Sequence, residues 1–209
     1  MISLTVLPLF LLASWTLNIA PGPDMLYVIA RSAGHGRRAG LVSALGIAAG
    51  SLIQTCIVAL GLASILAAVP LAYDLVKFVG AGYLIYLGIR VFLSRQHSLI
   101  APPVERTGLW RIFAQGVITN VLNPKVALFF LAFLPQFTSP AHGSVPLQII
   151  ILGTIFNVSG TAVNIVVALF SSLFGNWLKS HARASKVLNW LTGGIFIGLG
   201  VRLAFLQRQ

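Results

Sequence analysis

Apolar residues run along this chain in six long stretches separated by short polar breaks. The stretches are Leu4 to Ala30, Leu41 to Val69, Leu71 to Leu93, Ile112 to Phe137, Val145 to Leu173 and Val187 to Leu206. Each is long enough for a helix of ~20 residues that crosses the hydrocarbon core of a bilayer. Several are longer, which predicts tilt, kinks or ends that protrude into the headgroups. The pattern predicts an all-α polytopic membrane protein with six transmembrane helices. The 209 residues leave no room for a soluble domain besides these, so 1–209 reads as a single transmembrane domain.

Composition agrees. Hydrophobic residues make up 57% of the chain and charged residues 8%, against roughly 25% charged in a soluble domain. The net charge of +11 would by itself point to nucleic acid, but the basic residues sit in short loops between apolar spans. Arg31, Arg37 and Arg38 follow span 1, Arg95, Arg106 and Arg111 follow span 3, and Lys179, Arg183 and Lys186 follow span 5. The links after spans 2 and 4 are nearly bare of basic residues. The positive-inside rule reads this as a cytoplasmic face and argues against a nucleic-acid partner. With six spans both termini then face outward, although Arg202 and Arg208 lie on the wrong side for the rule; a five-span chain with one re-entrant segment is the alternative. The start of the chain lacks the basic n-region of a cleaved signal peptide, so the first span is expected to stay as a helix.

Enzyme chemistry finds little support. The histidines His35, His97, His142 and His181 stand singly in loops, which predicts no metal site. Cys56 is the one cysteine, so no disulfide or CxxC pair forms within the chain. No nucleophile elbow or phosphate-binding glycine loop is present, and no cofactor is expected.

The spans repeat. Gly82 to Arg90 in span 3 and Gly194 to Arg202 in span 6 share Gly, Leu-Gly and Arg positions at an offset of 112 residues. Asn18 with Asn120 and Pro21 with Asn123 align at an offset of 102. The chain therefore reads as two three-helix repeats, about 1–95 and about 111–209, joined by a cytoplasmic linker at about 96–110. Three spans per repeat require the second copy to be inverted, and broken helices in inverted repeats are the mark of secondary transporters. Gly46 with Gly50, and Gly194 with Gly198, are GxxxG pairs that predict close helix packing.

Spans 1 and 4 are interrupted at Asn18-Ile19-Ala20-Pro21-Gly22-Pro23-Asp24 and at Asn120-Val121-Leu122-Asn123-Pro124-Lys125. A helix broken at membrane depth must face protein or a cavity, and a charge there is a functional-site hypothesis by default. Pro23 fits the first position of a new half-helix, with Asp24 in its first turn, where the helix dipole favours a carboxylate. Asn123 is a natural N-cap, Pro124 fits the first helical position, and Lys125 follows. A lysine in a first turn opposes the dipole unless an anion such as a carboxylate sits there. Asp24 would meet an ammonium or carry a proton, so the two breaks together predict a zwitterionic substrate. A purely structural Asp24–Lys125 pair is the competing reading. Tyr27, Gln54, Gln115, Asn157 and Asn164 are further polar residues on spans, candidates for lining a cavity or for bonding between helices.

These motifs, together with Tyr83-Leu84-Ile85-Tyr86-Leu87-Gly88, resemble the lysine exporter (LysE) and homoserine/threonine efflux (RhtB) family over the full length. The resemblance implies proton-driven export of amino acids or their derivatives across the bacterial inner membrane. It carries over to Asn18, Pro21, Gly22, Pro23, Asp24, Asn123, Pro124 and Lys125. The Asp after Pro-Gly-Pro is closer to the homoserine/threonine branch. The expectation is a proton-coupled antiporter of neutral amino acids working by alternating access, with the amino acid, protons and the bilayer as partners and a homo-oligomer compatible with it. A passive channel for small polar metabolites is the alternative.

Overall fold

The computed structural model of this chain describes residues 7–62, 70–93, 108–180 and, near the C-terminus, 190, 193–195, 197–201 and 204–205. Most of the linker expected at 96–110, with His97, Glu105 and Arg106, lies outside the described residues. So do the first six residues, Arg95, His181, Arg183, Lys186, Arg202 and Arg208. Among the described residues every regular element is helical.

Helix α1 spans Leu7–Ile19 and α2 spans Pro23–His35. Pro21 and Pro23 have no N–H with which to continue a helical ladder, so α1 stops and α2 starts afresh after an extended Gly22. Gly36 alone joins α2 to α3, which covers Arg37–Ile57. The predicted loop around Arg31, Gly34 and Arg38 is thus helix on both sides of one residue. Gly36 has φ +83°, a conformation in which a side chain is strained.

Helix α3 runs on into a wider π-helical turn at Val58–Leu62, and α4 covers Pro70–Leu93. Helix α5 spans Leu109–Val121 and α6 spans Pro124–Leu128, extended by the π-helical turn Phe129–Phe133 and the 3-10 turn Leu134–Phe137. Helix α7, Val145–Ser180, has one non-helical residue, Phe170. The described residues of the last span are helical.

By length and composition Arg37–Gly61 and Val145–Ser171 each suffice to cross a membrane, and α5 with Pro124–Phe137 makes a third span bent by 45°. Among the described residues this gives two or three crossing helices; parts of the first, second and last of the six apolar stretches lie outside the described residues. A 13-residue α1 reaches only ~20 Å at 1.5 Å per residue, short of a ~30 Å hydrocarbon core. Outward-facing apolar side chains such as Leu52, Ile53, Ile57 and Leu60 belong against lipid, since an apolar surface of that extent is costly in water.

Two apolar clusters fill the interior. The larger joins Phe10, Leu17, Phe129, Phe130, Phe133, Phe137, Leu152 and Phe156, with rings such as Phe129 and Phe156 stacked at 5.0 Å and Phe10 and Phe137 edge-on at 5.3 Å. The smaller joins Met25, Val28, Ile29, Ala44, Ile47, Val167 and Ala168.

Helices touch through glycines. A methyl placed on Gly46 would lie 2.3 Å from the Phe113 carbonyl oxygen, and one on Gly50 would lie 2.9 Å from Asn120 Cβ. The Gly46/Gly50 pair therefore lets α3 lie on α5, as its spacing predicts. On the α1 side, a methyl on Gly160 of α7 would lie 2.8 Å from Asn18 Oδ1. The other predicted pair differs: a methyl on Gly194 or Gly198 meets nothing within 4 Å among the described residues. Close packing there runs instead through Gly88 against Gly193 and Ile197, and through Gly200 against Ala81 and Ile85.

Candidate functional site

The first break is built by backbone chemistry. Ala20 N still donates to Thr16 O at 3.0 Å, closing α1, and Leu26 N donates to Gly22 O at 3.0 Å, opening α2. Pro23 occupies the first helical position and Asp24 the first turn. The second break is built by a side chain. Asn123 caps α6, its Oδ1 accepting from Lys125 N at 3.1 Å, with Pro124 first in the helix. At the end of α5, Gln54 of α3 donates from Nε2 to Asn120 O at 2.7 Å and to Val121 O at 3.3 Å. These carbonyls lie among the last four of a helix, which have no partner inside it.

The two breaks meet. Asn120 Nδ2 donates to Asp24 Oδ2 at 2.8 Å, and Lys125 Nζ donates to Ala20 O at 2.7 Å. Each break thus holds the ionisable residue of the other: Asn120 anchors Asp24, and the Ala20 carbonyl anchors Lys125. Gly22 makes room for this, because a methyl there would sit 3.3 Å from Lys125 Nζ. Among the described residues, three buried acceptor oxygens at this junction, Asp24 Oδ1, Asn120 Oδ1 and Gln54 Oε1, have no hydrogen-bond donor against them. Their amide nitrogens are already committed, so the oxygens cannot be exchanged for donors by turning the amides. Of these three residues Asp24 lines the cavity described next.

A cavity of about 30 Å³ lies at the junction, lined by Leu17, Asn18, Ala20, Gly22, Asp24, Met25, Asn123, Lys125, Val126, Phe156 and Asn164. It sits where the two apolar clusters meet, since Leu17, Val126 and Phe156 belong to one and Met25 to the other. One wall is therefore apolar, and the other carries the two charges and three asparagines.

The sequence candidates divide accordingly. Asn18, Gly22, Asp24, Asn123, Lys125 and Asn164 line the cavity. Pro21, Pro23 and Pro124 shape the backbone, and Asn120 stands behind Asp24. Asn18 also donates to Ser159 Oγ at 3.0 Å and to Phe156 O at 3.3 Å, tying α1 to α7.

Of the five further polar residues on spans, four lie elsewhere than on the cavity wall. Gln54 caps α5. Asn157 donates to Ala48 O at 3.1 Å and accepts from Thr161 at 3.1 Å, joining α7 to α3. Tyr27 donates to Ile112 O at 2.7 Å, and Gln115 accepts from Arg31 Nη2 at 2.6 Å. Asn157 and Asn164 stand seven residues apart, two helical turns, but only Asn164 reaches the cavity. Sequence reasoning missed Ala20, whose contribution is a carbonyl, and the apolar wall of Leu17, Met25, Val126 and Phe156. Nothing in an apolar residue's type marks it as facing a cavity.

The sequence matches the LysE type translocator family over residues 15–207. It is 30% identical over 192 residues to an uncharacterized membrane protein, PA4757, of Pseudomonas aeruginosa, covering 89% of this chain and 88% of that protein. To the uncharacterized membrane protein YrhP of Bacillus subtilis it is 30% identical over 194 residues, 88% of this chain and 91% of that one. To the leucine efflux protein of Salmonella typhimurium it is 27% identical over 199 residues, 95% of this chain and 94% of the relative. No solved structure matches.

Proposed function

This chain belongs to the LysE type translocator family, a membrane transporter rather than an enzyme, and we propose that it is a secondary-active exporter of neutral amino acids. One observation carries the reading: Asp24 and Lys125, each from a helix break, line a single cavity. An ammonium and a carboxylate on one carbon need an acid and a base on one cavity. Lys125 receives the carboxylate: its ammonium has three N–H donors and gives one to Ala20 O. Asp24, with its donor-free Oδ1, receives the ammonium, or the coupling proton once the substrate has left. The apolar wall takes the side chain, in keeping with relatives that are leucine efflux proteins.

The transport cycle is alternating access in the bacterial inner membrane, with protons exchanged for substrate. Loading and release require the helix breaks to part, first toward one side and then toward the other.

Six spans in two inverted repeats fit this cycle, and reciprocal contacts support them. Asn120 packs on Gly50 and Asn18 packs on Gly160; in the repeat alignment Asn18 corresponds to Asn120. Gly88 packs on Gly193 and Ile197 while Gly200 packs on Ala81 and Ile85. These are the same three positions, 112 residues apart, meeting each other in exchange. In this second contact the low-numbered end of α4 meets the high-numbered end of its mate, so the two helices run antiparallel. A two-fold axis relating antiparallel helices is perpendicular to them, and therefore lies in the plane of a membrane that they cross. That is the symmetry of an inverted repeat.

The test is counterflow in proteoliposomes. Vesicles loaded with unlabelled leucine should transiently accumulate labelled leucine, with saturation, and an imposed pH gradient should drive net movement. Unsaturable movement without counterflow would make the protein a channel.

A further inference from the structure

Asn18, Asn123 and Asn164 line the cavity, and the first two are held by the protein itself. Asn18 donates to Ser159 Oγ and Phe156 O, and Asn123 caps α6 through Lys125 N. Asn164, on α7, is 8% exposed, yet among the described residues its amide makes no hydrogen bond. Asn157, two turns earlier on the same helix, shows the contrast: its amide is committed to Ala48 O and to Thr161. An enclosed amide without a partner is costly, and lipid supplies no partner.

The place of Asn164 along α7 says which end of the cavity it serves. Gly160 lies against Asn18 at the end of α1, and Ala168 O accepts from Ser32 of α2. Asn164 is midway between these two contacts. Its neighbours Val163 and Val167 pack with Met25 and Val28, so it stands level with the first turns of α2, where Asp24 is. Lys125 Nζ is tied instead to Ala20 O, on the α1 side of the break.

We propose that Asn164 binds the ammonium of the substrate together with Asp24. The proposal rests on the export reading, in which Asp24 faces the ammonium and Lys125 the carboxylate. An ammonium has three N–H donors. Asp24 Oδ1, which has no donor against it among the described residues, accepts one, and Asn164 Oδ1 accepts a second. Charge alone attracts any cation to Asp24. The amide adds a second directed acceptor, so the pair selects an amino group.

The experiment compares wild type, Asn164→Ala and Asn164→Leu. Leucine transport against concentration is measured in proteoliposomes, and the thermal midpoint is measured in detergent with and without leucine. Two analogues are read as inhibitors of leucine transport: leucinamide, which keeps the ammonium, and isocaproate, which keeps the side chain and carboxylate but has no ammonium. Asn164→Ala should raise half-saturation by leucine about tenfold or more, the scale of one charged hydrogen bond. It should weaken leucinamide by the same factor and leave isocaproate unchanged. Without leucine the midpoint should stay level in Asn164→Ala and stay level or rise in Asn164→Leu, because no bond within the protein is lost. The upward shift with leucine should shrink in both. Half-saturation within about twofold of wild type in Asn164→Ala overturns the contact and leaves the export reading intact. A penalty that follows isocaproate rather than leucinamide overturns the assignment to the ammonium, and a midpoint lowered in both variants without leucine makes the residue structural and overturns it too. If neither analogue inhibits wild type, half-saturation and the two midpoints decide. A wild type with neither saturable leucine transport nor stabilisation by leucine overturns the export reading and the contact with it.

Discussion

Asn120 on one broken helix donates to the Asp24 carboxylate on the other, at 2.8 Å. This bond joins the first turn of α2 to the last turn of α5, beside the two helix breaks. A hydrogen bond to a charged group contributes about 1.5–3 kcal/mol. Asn120→Ala should therefore lower leucine transport by about tenfold or more while the protein still inserts and elutes as a single species. Transport by Asn120→Ala at the wild-type rate would show that the bond is idle. Asn120→Asp places a second carboxylate beside Asp24 and should lower transport further, since like charges at this distance resist joint ionisation.

Lys125 stands across Gly22. A methyl at Gly22 would lie 3.3 Å from Lys125 Nζ and from its Cδ, a contact the lysine side chain relieves only by moving. Gly22→Ala should weaken transport modestly, and Gly22→Val should weaken it severely. Lys125→Ala, without the ammonium, should abolish it. The check is initial rate in proteoliposomes at equal protein density. An active Lys125→Ala variant would remove the lysine from the carboxylate role assigned to it.

Gln54 acts on stability. It donates to two terminal carbonyls of α5 from a fully enclosed position, being 5% exposed. Asn120 O also accepts from Asn123 N at 2.9 Å, so the loss falls on Val121 O, and leaving an enclosed acceptor unpaired costs about 1–3 kcal/mol. Gln54→Leu should lower the thermal unfolding midpoint measurably in detergent, whereas Gln54→Glu should do less harm only if it is protonated. A midpoint unchanged in Gln54→Leu would mean that water replaces the amide.

Gly46 and Gly116 set the spacing of α3 on α5. The Gly116 Cβ position lies 2.9 Å from the Ser43 carbonyl oxygen, and that of Gly46 lies 2.3 Å from the Phe113 oxygen. Backbone cannot move aside as a side chain does, and overpacking of this kind costs about 1–3 kcal/mol. Gly46→Ala and Gly116→Ala should each cut the yield of folded protein, while Gly194→Ala, where a methyl meets nothing within 4 Å among the described residues, should be neutral. Equal tolerance at the three positions contradicts this packing.

Much of the site was legible because its residues are unusual for their surroundings. Proline, glycine, asparagine and single charges inside apolar runs conflict with a continuous helix in lipid, and that conflict singled out Asn18, Asp24, Asn123 and Lys125. The caps followed from local rules that need only neighbours in sequence: Pro23 and Pro124 take first helical positions and Asn123 caps its own helix.

Partners distant in sequence were not legible. Gln54, Gln115, Tyr27 and Asn157 looked alike as polar residues on spans, and nothing in their types said which would reach the cavity. The fold sorted them by direction: Gln54 to a helix end, Asn157 to Ala48, and Tyr27 and Gln115 into a cluster with Arg31. Likewise the Gly194/Gly198 spacing promised close packing that Gly193 and Gly200 perform instead. By itself the chain sequence determined where helices break and which charges stand at the breaks, because those depend on covalent structure and the local ladder. Only the tertiary structure decided that Asn120 holds Asp24 and Ala20 holds Lys125, because hydrogen bonds across 96 and 105 residues depend on how helices pack.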